Sequence, residues 1–145
     1  MNSLWILLMT LITGSLMGMQ GPINATLSKK IGTFEGALFS FLIGTFFLIL
    51  LVVFLGKGSY REITETQPWQ WVGGLLGAIF VTNMIFTVPK LGSTTSLMAA
   101  IAGQLLIGAL IDQFGWFGIP KIPLSDTRVV GFVLMAASLY LVARK

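Results

Sequence analysis

The sequence contains neither cysteine nor histidine, and only 10% of its residues are charged. Without cysteine there is no disulfide, no thiol nucleophile and no thiolate metal site. Without histidine the commonest proton shuttle and metal ligand is missing. Soluble domains carry about a quarter charged residues. The low charge, together with a mean hydropathy of +0.91, therefore indicates an integral membrane protein.

Motifs that carry catalysis are also missing. The sequence shows no nucleophile–base pair, metal-ligand cluster, phosphate-binding loop or nucleotide motif. We therefore predict no catalytic residue, no metal site and no cofactor, and we expect a protein that is not an enzyme. The net charge of +4 comes from loops and chain ends, and no basic run exceeds two residues. Such short runs predict membrane topology and no nucleic-acid partner.

What is abundant is long apolar sequence. Five runs approach the roughly 20 residues that a helix needs to cross the hydrocarbon core. They predict an all-α fold, a five-helix bundle that forms a single transmembrane domain over residues 1–145. The predicted helices occupy residues 4–27, 34–55, 69–88, 93–112 and 127–143. We predict a short basic turn at residues 29–32, and Ser125 or Asp126 as the cap of the fifth helix.

The first apolar run begins at Leu4, and no Lys or Arg precedes it. A secretory signal peptide has a basic start and a short apolar core. We therefore expect this run to be retained as the first transmembrane helix.

A polar stretch interrupts this first helix at membrane depth. Gln20 and Asn24 are four residues apart, so on a helix they share one face. Pro22 between them removes a backbone donor. We predict a bent helix whose polar face lines an internal substrate pathway. The alternative is a hydrogen-bonded clamp between helices that has no transport role. Further breaks or hinges are predicted at Pro89 and Gly92.

Two more carboxamides, Asn83 and Gln104, complete the predicted substrate pathway. Asn83 stands alone in the third helix, and its alternative role is a packing hydrogen bond. Gln104 and Asp112 are about 80° apart around the fourth helix, with Gly108 between them, so they are placed to line one groove. The alternative for Asp112 is that it caps the loop that follows.

Glu35 and Asp112 are the only carboxylates near membrane depth, and both lie toward helix ends. In an antiparallel pair of chains, Glu35 of one chain and Asp112 of the other come to the same membrane face. We treat both as candidates for carrying a proton while a gate opens and closes. The alternative is an ordinary helix-end role, which for Glu35 is interaction with the helix dipole.

Basic residues are divided almost evenly between the two sides of the predicted bundle. One side has four and the other five: Lys57, Arg61, Lys121 and Arg128 against Lys29, Lys30, Lys90, Arg144 and Lys145. Orientation follows an excess of cytoplasmic Lys and Arg, so a difference of one gives almost no preference. We predict insertion both ways and an antiparallel homodimer of ten helices. The alternatives are a paralogous partner subunit or one fixed orientation.

Six short motifs follow one another along nearly the whole chain: Gln20-x-x-x-Asn24, Ser40-Phe41-x-x-Gly44-Thr45, Trp71-x-Gly73-Gly74-x-x-Gly77-Ala78, Val88-Pro89-Lys90-Leu91-Gly92, Gly103-Gln104 and Ile111-Asp112-x-Phe114-Gly115. This ordered set resembles the YdcZ-like family of small bacterial inner-membrane proteins. That family belongs to the drug/metabolite transporter (DMT) superfamily, whose EamA-type members contain two five-helix repeats. The resemblance implies half of a ten-helix EamA-like transporter in the bacterial inner membrane. The small multidrug members use a glutamate inside the first helix, and this chain has none there.

The sequence thus predicts a transporter or exporter of a small-molecule solute, embedded in the lipid bilayer. We expect it to work by alternating access as a dual-topology dimer. The first alternative is a dual-topology ion channel of the fluoride type, in which polar side chains line narrow pores. The second is an accessory membrane subunit that transports nothing itself.

Overall fold

The computed structural model describes residues 3–144, which form five long α-helices. They are α1 (Ser3–Ile31), α2 (Thr33–Leu55), α3 (Val72–Leu91), α4 (Ser93–Phe114) and α5 (Asp126–Ala143). Within residues 3–144 no β-strand occurs. Five helical spans in this part of the chain are long and apolar enough to cross a membrane. The predicted all-α fold with five membrane-spanning helices is confirmed.

Two of the four connections between these helices are single glycines. Gly32 joins α1 to α2 with a φ of 101°, and Gly92 joins α3 to α4 with a φ of 82°. Residues other than glycine rarely adopt such positive φ angles. The predicted basic turn over residues 29–32 is therefore too long. Lys29 and Lys30 belong to the last turn of α1, where cations interact favourably with the negative end of the helix dipole.

Pro22 and Pro89 lie inside α1 and α3 and end neither helix. The first helix continues from Pro22 to Ile31, and the third continues past Pro89 to Leu91. The predicted helix ends at residues 27 and 88 are thus corrected. A proline removes its own N–H donor and crowds the carbonyl four residues earlier, but both helices continue through it on the remaining backbone hydrogen bonds. The helical conformation is interrupted at Gly92 instead. Hinge motion at Pro22, Pro89 and Gly92 stays a prediction.

The two longer connections contain short 3-10 helices. One connection holds Tyr60–Glu65 and Pro68–Trp71, and the other holds Trp116–Gly118. Because Pro68 opens a 3-10 turn, α3 begins at Val72 and not at residue 69. At the start of α5, the Ser125 hydroxyl oxygen accepts a hydrogen bond from the Arg128 N–H over 3.3 Å. Of the two predicted caps, Ser125 makes the contact.

The chain divides into two compact units. The first contains α1, α2 and α3 as far as Lys90, and the second begins at Leu91 and contains α4 and α5. In the first unit α1 packs against α2, and Gly21 of α1 lies against Val88 of α3. In the second unit α4 packs against α5. A single transmembrane domain over the whole chain stays a prediction.

Small and polar residues occupy the packed face of α1, whereas α3 buries larger apolar side chains and most other large apolar side chains point outward. The buried residues of α1 are Gly21, Asn24, Ala25 and Ser28. On α2, by contrast, Phe54 is 78% exposed and Val53 is 69% exposed. Lipid tails are as apolar as leucine, so helices in a bilayer associate through close packing of small residues. The exposed apolar faces are therefore the surfaces that contact the lipid bilayer.

Gly36 of α2 packs directly on α1, and we expect Gly36→Ala to destabilise the protein. A β-carbon at Gly36 would overlap the Ser28 hydroxyl and would lie 3.2 Å from the Ser28 α-carbon. The two helices would have to separate, at a cost of about 1–3 kcal/mol. The measurement is the midpoint of thermal unfolding of the detergent-purified protein, which should fall.

Gly44→Ala on the same helix is the matched control, because a β-carbon at Gly44 meets no atom within 4 Å. Equal unfolding midpoints for the two variants would show that the packing of α1 on α2 does not depend on the contact between Gly36 and Ser28.

Candidate functional site

A groove with a volume of about 540 Å³ lies between α4 and α5 in the second unit. Residues from successive turns of both helices line it: Gln104, Leu105, Gly108, Ala109 and Asp112 from α4, and Arg128, Gly131, Phe132 and Met135 from α5. Small-molecule sites in proteins have volumes of about 300–1,000 Å³. The groove is therefore large enough for a small solute.

Two glycines, which have no side chain, create much of this space. A β-carbon added at Gly108 or at Gly131 would meet no atom within 4 Å. Gln104 and Asp112 are eight residues apart, which is about 12 Å along a helix. The groove thus runs from the end of α4 toward the middle of the span. The structure brings Gln104, Gly108 and Asp112 together in one groove.

An ion pair joins the two helices at one end of the groove. The Arg128 Nη1 atom lies 3.1 Å from the Asp112 Oδ2 atom, close enough for a charge-assisted hydrogen bond. The two side chains are 39% and 29% exposed respectively. The Asp112 carboxylate therefore pairs across to α5, whereas its backbone carbonyl accepts from the Ile122 N–H over 2.8 Å. The pair gives the groove a polar, electrically balanced end.

The loop between α4 and α5 is tied back to α4, which fixes where α5 begins. The Gln113 Oε1 atom accepts a hydrogen bond from the Leu124 N–H over 2.7 Å. The rings of Phe114 and Trp116 stack with centroids 5.5 Å apart. Gly115 ends α4 in a left-handed conformation with a φ of 68°. These contacts hold the start of α5, and with it the Arg128 guanidinium, beside the end of α4.

Gln20 and Asn24, which were predicted to line one pathway, differ in burial. Gln20 is exposed, whereas Asn24 is only 5% exposed and packs inside the first unit. The reason is that the packed face of α1 begins at Gly21, one residue after Gln20. Among the described residues, neither the Asn24 Nδ2 atom nor the Ser28 Oγ atom has a hydrogen-bond partner.

Asn83 lies in a different groove, within the first unit. This groove has a volume of about 470 Å³, and its polar lining residues are Thr33, Thr82 and Asn83. Asn83 itself is exposed. The residues predicted for the pathway therefore occupy several separate environments, and a role for them as one continuous pathway stays a prediction.

The two candidate carboxylates have different surroundings. Glu35 is exposed in the first turn of α2, and its carboxylate folds back over Gly32 so closely that a β-carbon there would overlap it. A carboxylate at a helix start interacts favourably with the dipole. Asp112 is instead half-buried in the ion pair with Arg128. Of the two, Asp112 is the one that lines a groove.

Sequence reasoning missed Arg128 as a site residue and counted it only in the charge balance. The available signal was the order of the residues along the chain. Asp112 ends one apolar run and Arg128 begins the next, and consecutive antiparallel helices bring such ends together. Ser28 was missed as well, since a serine near a helix end carries no signal by itself.

Five helices that are long and apolar enough to cross a membrane, one pair of which encloses a partly polar groove, define a multi-pass membrane protein. A family profile described as "Putative inner membrane exporter, YdcZ" (DMT_YdcZ) matches residues 5–141. The chain belongs to this family, as the ordered motifs predicted, and it is a protein of the bacterial inner membrane.

One relative is the inner membrane protein YdcZ of Escherichia coli (strain K12). The two are 30% identical over 91 residues, which cover 62% of this chain and 60% of the relative. The matched part is thus less than two thirds of the relative's own length. Comparison with solved structures found no match.

Proposed function

We propose that this protein exports a small solute from the cell by alternating access, as an antiparallel homodimer in the inner membrane. The groove between α4 and α5 carries the proposal, because it offers a solute-sized space with a mainly apolar lining, the Asp112–Arg128 ion pair at one end and Gln104 toward the other. Membership of a family described as an exporter supports the same direction of transport.

Two exposed carboxamides support the pairing with a second copy. Gln20 of α1 and Gln104 of α4 are both exposed, although each lies well inside a membrane-spanning helix. A polar side chain that faces lipid has no partner for its hydrogen bonds, and this is costly. A second chain or a water-filled pathway between two chains supplies those partners. Five more helices of opposite orientation would also complete the ten-helix arrangement.

Reconstitution of the purified protein into liposomes tests the proposal. Uptake would be measured for ethidium, for an amino-acid mixture and for a dicarboxylate mixture, each in a counterflow experiment. Saturable counterflow of any of them supports a transporter. Large, non-saturable fluoride efflux, measured with a fluoride electrode, would instead identify a channel. No flux of any kind, with a dedicated partner on co-purification, would identify an accessory subunit.

We expect Asp112 to couple solute movement to protons. An imposed pH gradient should drive uphill flux in the parent protein. Asp112→Asn should abolish this drive, because an amide cannot alternate between a protonated form and an ion pair with Arg128. Glu35→Gln should retain the drive, since the exposed Glu35 lies at a helix start and does not line the groove. Flux that ignores the gradient in all three proteins would show a facilitator and leave both carboxylates structural.

A further inference from the structure

Two segments of the chain, sixty residues apart, share one structural pattern. Residues 21–33 contain the end of α1 and its glycine turn, and residues 81–93 contain the end of α3 and its glycine turn. Every position is buried, half-buried or exposed alike in both segments. The two turn glycines also match, with φ and ψ of 101° and 157° at Gly32 and of 82° and 159° at Gly92. The chain therefore contains an internal structural repeat.

The repeat allows the buried residues of α1 to be compared with those at the matched positions of α3. At matched positions α1 has Asn24 and Ser28, while α3 has Met84 and Val88. Burial is the same, since Asn24 is 5% exposed and Met84 is 6% exposed. Apolar side chains are therefore buried to the same extent at the matched positions of α3. Burial by itself does not require a polar pair on α1.

The polar pair is also unpaired. Neither the Asn24 Nδ2 atom nor the Ser28 Oγ atom has a hydrogen-bond partner among residues 3–144. A buried polar group without a partner is worse for stability than an apolar group of similar shape. The chain carries this cost in α1 and avoids it in α3. A ligand that supplies the missing hydrogen bonds explains the difference.

We propose that Asn24 and Ser28 form a polar subsite for the solute, and that the solute binds it through an acceptor oxygen of a carbonyl or carboxylate. The inference rests on the proposed function, since it concerns the transported solute. The Asn24 Nδ2 atom can only donate hydrogen bonds, and the Ser28 hydroxyl can donate one as well. A solute oxygen satisfies both. Because the pair is buried, the solute reaches it only when the packing around the end of α1 opens, and at Ser28 this requires α1 to move away from Gly36 of α2.

The reactivity of introduced cysteines tests whether the packing around Asn24 opens. The natural chain has no cysteine, so Asn24→Cys and Met84→Cys each introduce a single thiol at the same burial and the same distance from the turn glycine. Thiols react as thiolates, which need water. In native membranes we expect N-ethylmaleimide to modify Asn24→Cys about tenfold faster than Met84→Cys. Equal rates would overturn the proposal. The measurement needs no solute, so a failure of flux does not affect it.

Removal of the polar atoms supplies the second test. Asn24→Met, which carries the residue of α3, and Ser28→Ala, which adds no atom toward Gly36, should have unfolding midpoints equal to or above that of the parent, but solute flux should fall by about tenfold, as expected from the loss of a hydrogen-bonded contact. Lower midpoints with loss of the dimer would assign the pair to helix or subunit packing. Full flux with full stability would show that the pair is idle. Either result overturns the proposal.

The chemistry of the solute is tested by protection. Acetate and acetamide carry an acceptor oxygen, and tetramethylammonium carries none. We expect modification of Ser28→Cys by N-ethylmaleimide to slow in acetate or acetamide, and not in tetramethylammonium chloride. Protection by acetate alone indicates a carboxylate, and protection by both indicates a carbonyl oxygen. Equal rates in all three solutions would overturn the assignment of an acceptor oxygen.

Discussion

Gly108→Leu is expected to reduce transport about tenfold or more while leaving the protein folded. A leucine at this position extends into the groove between α4 and α5, where a β-carbon at residue 108 meets no atom within 4 Å. The added side chain competes with the solute for a volume of about 540 Å³. If the leucine costs the solute about 1.4 kcal/mol of binding free energy, affinity falls tenfold. We therefore expect counterflow to fall about tenfold or more.

Gly103→Leu on the same helix is the matched control. A β-carbon at Gly103 also meets no atom within 4 Å, but this residue is exposed and does not line the groove. Both variants should elute from size-exclusion chromatography as the parent does. Normal counterflow in Gly108→Leu, or an equal loss in Gly103→Leu, would remove the groove from the pathway.

A reporter fused to the C-terminus is expected to appear on both sides of the membrane. The even division of Lys and Arg, four against five, gives the inserting chain almost no instruction. Two lysines added after Lys145, which lies outside the described residues, should force one orientation. Transport should then fall to near zero, because an antiparallel pair can no longer form. The measurements are reporter activity on each side and solute counterflow.

Co-expression of a copy biased the other way is the control for this experiment, and it should restore transport. Reporter signal on one side only in the parent protein would exclude inverted homodimers. A parallel dimer or a paralogous partner would then have to supply the remaining helices.

The sequence by itself determined the class of protein and the number of spans. Apolar runs near 20 residues have one stable form in a bilayer, a helix that satisfies its own backbone hydrogen bonds. For this reason five helices and a membrane location followed from composition and length. The break at Gly92 was also readable from local sequence, because a glycine with positive φ there needs no tertiary partner.

The tertiary structure decided which polar residues meet. Asn24 is buried and Gln20 is exposed, although they share a helix face, because the packed surface of α1 begins at Gly21. Likewise, the pairing of Asp112 with Arg128 depends on two helices that pack side by side. Helix periodicity fixes the direction of each side chain around its own axis only. What lies opposite that side chain is set by the neighbouring helix, and the spacing of residues within one helix carries no information about it.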